Sequence, residues 1–333
     1  YNDIIRKFID MYAGRLRNQV SFMLSACNFY MPIFEEALDA YGLPLELRYL
    51  PIIESALNPS AVSRAGASGL WQFMIGTGKI YGLESNSLVD ERRDPIKATW
   101  AAARYLKEMY DIYGDWNLVI AAYNCGPGTI NKAIRRANGE TDYWKIYNYL
   151  PKETRGYVPA FIAANYVMTY YCDHNICPME TNIPASTDTV QVNKNLHFEQ
   201  IADLCNVPLD QIKSLNPQYK KQMIPGDSKP YTLRLPIDAI STFIDKQDTI
   251  YTHRADELFR NRKTVAVKDI TPATRKTTSA VAGKGNLTYY TIKSGDTLST
   301  IARKYGVTIK DIQRWNGMSS TKIAAGKRLK IYK

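Results

Sequence analysis

A chain of 333 residues is too long for one ordinary hydrophobic core, so the reading is two or three domains. With 45% hydrophobic and 23% charged residues it has a globular composition, and no stretch is long and apolar enough to span a bilayer. The net charge of +11 favours a polyanionic partner, but without a Cys/His finger or an aromatic RNA-binding strand it does not argue for nucleic acid.

The chain opens at Tyr1 in what already reads as a helix, so any export signal or lipid anchor is expected upstream. Residues 4–12 and 20–30 carry apolar side chains at helical spacing. Pro32 suits the first turn of a further helix over 33–41, which Gly42 ends. Pro44 opens an apolar segment leading to Glu54, and Pro51 should kink or restart that helix because it lacks a backbone donor. A turn-rich loop with Gly66 and Gly69 follows, then Leu70-Trp71-Gln72-Phe73-Met74. One ionisable group, a backbone free to approach a ligand, and a bulky amide-bearing stretch suggest a cleft wall beside an acid.

Further on, 77–83 reads as helical and Asp90-Glu91-Arg92-Arg93-Asp94-Pro95 as a solvated charged turn, with Asp94 the N-cap of a helix over 96–113. Gly114-Asp115-Trp116 breaks that helix. A short apolar helix over 118–123 runs into the sharp loop Asn124-Cys125-Gly126-Pro127-Gly128. A helix over 129–137, an aromatic-rich stretch over 142–150 and a buried helix over 159–171 complete a segment with no convincing strand.

Residues 179–189 read as a linker. Beyond it the chain repeats itself at a spacing of one hundred positions: Phe198 matches Leu298, Ile201 Ile301, Ala202 Ala302, Val207 Val307, Ile212 Ile312 and Asn216 Asn316. Each copy reads strand, helix, helix, strand. The expected boundaries are a helical domain at 1–178, a linker at 179–189, a first module at 190–240, a basic flexible linker at 241–285 and a second module at 286–333.

Five cysteines leave at least one unpaired. Cys172 and Cys177 bracket Asp-His-Asn-Ile; free thiols are the first reading and a local disulfide the second, with no metal site and no cofactor expected. His174, His197 and His253 all lie outside the blocks that surround Glu54, which argues against Ser-His or Cys-His chemistry.

Three blocks resemble, in order, the signature of the family 1 lytic transglycosylases (glycoside hydrolase family 23): Glu54-Ser55, Ser63 to Met74, and Ala122-Tyr123-Asn124-Cys125-Gly126. A fourth, Glu153-Thr154-Arg155-Gly156-Tyr157-Val158-Pro159, resembles the membrane-bound murein transglycosylase D branch. Cys125 departs from the small residue usual at its position. The resemblance covers about residues 4–178. It implies a mainly α, goose-type lysozyme-like domain that cleaves peptidoglycan, followed by small α+β (βααβ) modules.

On that resemblance Glu54 is the catalytic acid. Ser55 would orient the substrate acetamide or the Glu54 carboxylate, and Gln72 and Asn124 would hydrogen-bond the sugars. Tyr123 would hold the acid or acetamide, Leu70 and Met74 would line an apolar wall, and Tyr157 would approach Glu54. Trp71 is read as core. Asp94, Asp115, Asp142 and Glu153 are the candidates for a second acid, each with a plainer account as cap or surface charge. The competing readings are a hydrolytic muramidase of the same fold and a non-catalytic wall-binding protein.

The second repeat resembles a LysM domain, a module that binds N-acetylglucosamine-containing glycans, through Tyr290 to Leu298, Ile301-Ala302, Tyr305-Gly306-Val307, Ile312, Trp315-Asn316 and Gly326. The resemblance places Gly295, Asp296 and Thr297, with Ile323 and Ala324 opposite, as glycan contacts. In the first copy Asn195-Leu196-His197 replaces Gly-Asp-Thr, which puts its glycan binding in doubt. The implied partner is the peptidoglycan glycan strand, met by a monomer in the periplasm or cell envelope, with outer-membrane attachment through an upstream anchor left open.

Overall fold

The computed structural model describes residues 1–259 except 182 and 185, and residues 287–332 except 294, 295, 317, 319, 322 and 325. The chain divides into two units, Tyr1–Pro272 and Ala273–Lys333. No helix among the described residues is long and apolar enough to cross a membrane.

The first unit begins with nine α-helices: α1 (Asp3–Ala13), α2 (Arg17–Ala40), α3 (Leu50–Ser55), α4 (Ile75–Ile80), α5 (Pro95–Tyr113), α6 (Trp116–Cys125), α7 (Pro127–Arg136), α8 (Tyr143–Ile146) and α9 (Lys152–Thr169). They enclose one core around Phe34, Leu38, Leu50, Trp71, Leu106, Leu118 and Val158. The local signals work as written for α5 and α6. Asp94 accepts from the backbone N–H groups of Ile96 and Lys97 at 3.0 Å each, and Asp115 from that of Leu118 at 2.9 Å.

Two prolines sit in helix interiors rather than at the expected starts. Pro32 lies within α2, which runs unbroken. Its ring is on the exposed face, and so is Asn28, the residue whose carbonyl it cannot serve. Pro159 lies within α9, which starts at Lys152. The carbonyl it cannot serve is that of Arg155, and the Tyr143 hydroxyl donates to that oxygen at 2.9 Å. Tertiary packing thus repairs the loss at Pro159.

The charged turn is also not solvated. Asp90 is 2% exposed, and Glu91 and Arg92 are 5% exposed. What covers it is the first repeat, built as β1 (Thr187–Val192), β2 (Asn195–His197), α10 (Phe198–Cys205), α11 (Leu209–Leu215), β3 (Met223–Pro225) and β4 (Tyr231–Pro236). β1 pairs antiparallel with β4 in the register Val190↔Leu233, and β2 with β3 in the register Leu196↔Ile224. Leu88 and Val89 of the helical domain join this module's own hydrophobic cluster. Val89 bridges Tyr219, the Asp90 N–H donates to Gln218 O at 2.9 Å, and the Lys220 N–H donates to Leu88 O at 2.8 Å. The loop between α11 and β3 is therefore packed on the helical domain.

The strand starts at Thr187, inside the stretch read as a linker, and three helices follow β4: α12 (Ile237–Asp245), α13 (Gln247–Thr252) and α14 (Ala255–Leu258). Phe243 and Ile250 bury into the module, so the first part of the expected basic linker is an ordered extension; its remainder from residue 260 lies outside the described residues.

The second unit contains β5 (Leu287–Thr291), α15 (Leu298–Tyr305), α16 (Ile309–Trp315) and β6 (Arg328–Tyr332), with β5 and β6 antiparallel in the register Tyr290↔Leu329. Its small core joins Tyr290, Ile292, Leu298, Ile301, Ile312, Leu329 and Ile331. The mainly α domain and the small βααβ modules are thus as the sequence indicates.

Candidate active site

Glu54 stands one residue before the end of a six-residue helix. Pro51 restarts that helix: residues Leu45–Tyr49 form a 3-10 turn, and α3 follows with Pro51 in its first turn, where no donor is needed. Two non-glycine residues in the left-handed region, Ala56 at φ 51° and Leu57 at φ 58°, stop the helix directly after Ser55. Such residues cost roughly 1–2 kcal/mol each. Burial of Leu57 at 1% exposure and the Ser55 hydroxyl offset that cost. This hydroxyl lies 2.9 Å from the Leu70 carbonyl and 3.0 Å from that of Pro51.

The glycine-bearing loop is shaped to meet that helix end. Gly69 has φ 88°, and a Cβ there would fall 1.7 Å from the Arg92 carbonyl oxygen, so only glycine fits. Arg92 also donates to the carbonyls of Gly66 at 2.8 Å and Phe73 at 2.9 Å, while its guanidinium grips Asp90 at 2.9 and 2.8 Å. Gln72 is held at φ 49°, and its amide donates to Gly69 O at 2.8 Å. Trp71 is core, as expected, with Nε1 donating to Thr99 Oγ1 at 2.9 Å.

α6 and α9 supply the other side. The Tyr157 hydroxyl donates to the Glu54 carboxylate. The Tyr123 hydroxyl donates to the Trp71 carbonyl at 2.7 Å, and Thr154 donates to Asn124 Oδ1 at 2.8 Å. A cleft of about 430 Å³ opens beside Glu54, lined among others by Tyr12, Gln19, Met23, Ser55, Ser63 and Gln72.

Glu54 is half-buried in this setting, and no ion-pair partner for it is found among the described residues. Burial pushes its pKa up from 4.5 to about 7; the Tyr157 hydrogen bond pulls the other way, and the charge of Glu153 adds to the rise. Burial, then the nearby Glu54 charge, holds the Tyr123 and Tyr157 hydroxyls well above their ordinary range, so both stay neutral donors. Three of the four candidate second acids have other work: Asp94 and Asp115 cap α5 and α6, and Asp142 accepts from the Lys145 N–H at 2.9 Å. Glu153 is exposed and acts on Glu54 through its charge.

One expected role changes. Leu70 is fully buried and offers the site only its carbonyl, so it is packing and not a cleft wall. Met74 is 46% exposed at the start of α4, and the residues lining the 430 Å³ cleft do not include it. Ser55 touches two carbonyls and positions α3. Tyr12 and Gln19 come from the N-terminal helices, where ordinary helical spacing gave no sign of a site, and Arg92 from a turn whose charges looked solvent-bound.

In the second unit Asp296 accepts from the Tyr290 hydroxyl and the Lys293 N–H, both at 2.8 Å, and Lys293 and Tyr290 with nearby lysine charges hold its carboxyl below the usual range. Thr297 exchanges hydrogen bonds with Thr300 and caps α15. The Gly326 N–H donates to Ile292 O at 2.8 Å, which brings the turn with Ile323 and Ala324 beside the turn with Asp296 and Thr297. Gly295 lies outside the described residues. Among the described residues all five cysteines are unbonded, and no group of three His, Cys, Asp or Glu side chains could hold a metal.

Comparison with known families matches residues 31–146 to the transglycosylase SLT domain, 186–252 to the LysM-like domain of lytic transglycosylase MltD, and 290–331 to the LysM domain. The chain carries an SLT domain followed by two LysM-type modules. It is 33% identical over 294 residues to the membrane-bound lytic murein transglycosylase D of Escherichia coli K12, a match covering 87% of this chain and 60% of that protein. It is also 33% identical over 124 residues to the soluble lytic murein transglycosylase of the same organism, covering 35% of this chain and 19% of that one. Among solved structures, the 70 kDa soluble lytic transglycosylase of Escherichia coli aligns at 29% identity with a TM-score of 0.38, over 43% of this chain and 24% of that chain. The SLT match contains Glu54, the glycine-bearing loop, Tyr123 and Asn124; Tyr157 lies beyond it, on α9.

Proposed function

We propose that the SLT domain cleaves the β-1,4 bond between N-acetylmuramic acid and N-acetylglucosamine in peptidoglycan without consuming water. The observation that carries this is Glu54: a carboxyl whose pKa burial raises to about 7, hydrogen-bonded by a neutral Tyr157, with no cation paired to it among the described residues. Such a group is protonated in a useful fraction at pH 7 and can donate. Its proton goes to the glycosidic oxygen as the C1–O bond breaks, and the substrate's acetamide oxygen supports the cationic C1. The Glu54 carboxylate then takes the proton of the muramyl C6 hydroxyl, O6 bonds to C1, and the acetamide is released. Glu54 ends protonated, and the product is a 1,6-anhydromuramyl end. One carboxyl suffices, as in the substrate-assisted exceptions to the two-carboxylate rule.

Digestion of purified sacculi followed by mass spectrometry tests this. Glu54→Gln is expected to lower the rate by about 10²–10⁴ or more, and wild-type products are expected to be one water lighter than reducing ends. Heavier ends would establish a hydrolytic muramidase, and an unchanged rate in Glu54→Gln a wall-binding protein.

The second LysM module, with Asp296, Thr297, Ile323 and Ala324 on adjacent turns, is the glycan-binding module in this reading, and Gly295 belongs with them by sequence. Removing residues 286–333 is expected to weaken sacculus binding and leave turnover of short glycans nearly unchanged; equal binding would end the targeting role. The setting that fits is the cell envelope, with peptidoglycan strands as partner and any membrane anchor upstream.

A further inference from the structure

The two repeats share a plan but use their loops differently. In the second module Asp296-Thr297 and Ile323-Ala324 form no strand, and Thr297 and Ala324 are exposed. The residues one hundred positions earlier, Leu196-His197 and Met223-Ile224, lie in β2 and β3 and pair with each other, Leu196↔Ile224 and His197↔Met223. Leu196, Met223 and Ile224 are fully buried. The Phe198 N–H adds a bond to Gln222 O at 2.8 Å. Backbone groups of the two turns are spent on each other, and apolar side chains fill the space between them. A sugar chain has no slot there.

The same loop of the first module offers a surface to the helical domain instead. Residues 84–91 form a tight hairpin, in which the Glu91 N–H donates to Glu84 O and the Asn86 N–H to Val89 O, both at 2.8 Å. Gln218-Tyr219-Lys220, just before β3, run along this hairpin, and side chains add to the backbone bonds. Lys220 Nζ donates to the Asn86 carbonyl at 2.7 Å, and the Tyr231 hydroxyl donates to the Glu84 carboxylate at 3.1 Å. Asn86 and Val89 are fully buried. The contact continues into the site around Glu54. Asp90 holds Arg92, and Arg92 holds the carbonyls of Gly66 and Phe73. Between those two carbonyls the loop places Gln72 on the cleft wall. Its Leu70 and Trp71 carbonyls hold the Ser55 and Tyr123 hydroxyls.

We propose that the first module is a positioning element for the reaction at Glu54 and not a glycan-binding module, with Lys220 and Tyr231 as positioning residues. Its docking fixes the hairpin, the hairpin fixes Arg92, and Arg92 fixes the loop that orients Gln72, Ser55 and Tyr123. The proposal rests on the peptidoglycan reading given above. A misplacement of about 1 Å can cost on the order of 10²-fold in rate, so a small relaxation of this loop is enough to slow the reaction. Wall binding by the modules then falls to the second one alone.

The test uses the full chain carrying Lys220→Ala/Tyr231→Phe. The N–H groups of Ser68, Gly69 and Gln72 bond to Phe73 O, Ala61 O and Gly69 O, so their hydrogen exchange reports on the loop. Exchange at these three is expected to be about tenfold faster in the variant, with that of α6 and α9 unchanged. At a temperature where the variant is fully folded, kcat on short soluble glycans should fall about tenfold, with a smaller change in KM, whichever product is formed. A purely structural role would lower the unfolding temperature and leave kcat alone. Titration of the wild-type chain with an N-acetylglucosamine oligomer should leave the amide NMR signals of Leu196, Met223 and Ile224 in place. Faster exchange confined to the loop supports the brace even where no cleavage is found, which separates its failure from that of the reading at Glu54. Unchanged exchange in the loop, an unchanged kcat, or shifts at Leu196 and Ile224 overturn the proposal.

Discussion

Glu54 and Asp90 are carboxylates of the same helical domain, both drawn out of bulk water, and their protons are held in opposite ways. Burial raises Glu54, and its hydrogen-bond donor among the described residues, Tyr157, is neutral. Burial would raise Asp90 too, but the Arg92 guanidinium, the Ser85 hydroxyl and the charge of Lys220 outweigh it and leave its carboxyl below the ordinary 3.8. Withdrawal from water sets the stage, and the presence or absence of a cation decides whether the acid becomes a proton donor or a strut. The strut has a purpose. The Asp90 N–H of the helical domain donates to the Gln218 carbonyl of the first module, and its partner Arg92 holds the carbonyls of Gly66 and Phe73. The docked module is thereby connected to the loop that shapes the cleft.

Removing the cation should have the largest effect. Arg92→Ala leaves Asp90 buried and uncompensated and frees two carbonyls of the loop, which is expected to cost about 3–5 kcal/mol. Urea unfolding at pH 7 measures this, and a cost below about 1 kcal/mol would show that the pair is not a strut. The Asp90→Ala/Arg92→Ala double variant should lose less than the sum of the single changes, since neither orphaned charge remains.

This contrast marks what local sequence can reveal. The Glu54-Ser55 pair, Gly66, Gly69 and the Asp94 cap are legible because the backbone or the chemistry demands those residue types at those positions. The buried Asp90-Glu91-Arg92 turn is not, because its cover comes from Gln218, Tyr219 and Lys220, more than a hundred residues away, and a run of charges carries no sign of a distant partner. Pro159 misleads for the same reason: the Tyr143 hydroxyl that rescues the Arg155 carbonyl belongs to another element. Tyr12 and Gln19 reach the cleft from helices whose only signal was apolar spacing. Leu70, in the middle of the signature, reads as a wall from its position but turns into the core, because Gly69 and the left-handed Gln72 set the direction of the loop between them.

The smaller effect lies at Glu54 and has the opposite sign. A carboxyl with a folded pKa near 7 against an ordinary 4.5 contributes stability that is complete below about 4.5 and is lost as pH rises through about 7, where the folded state must hold the charged form. Asp90 behaves inversely, contributing above 3.8 and losing its contribution on further acidification. Glu54→Gln keeps the shape and an acceptor for Tyr157 without the charge. The variant is therefore expected to be more stable than wild type at pH 8, by about 1–2 kcal/mol after allowing for the partial solvent exposure of the group. The difference should shrink toward zero by about pH 4.5. Thermal unfolding of both proteins across that range reads it directly. A variant less stable than wild type at pH 8 would mean that the carboxylate is held by favourable contacts, as Asp90 is, and such a group would be charged at neutral pH and unable to begin the reaction as an acid.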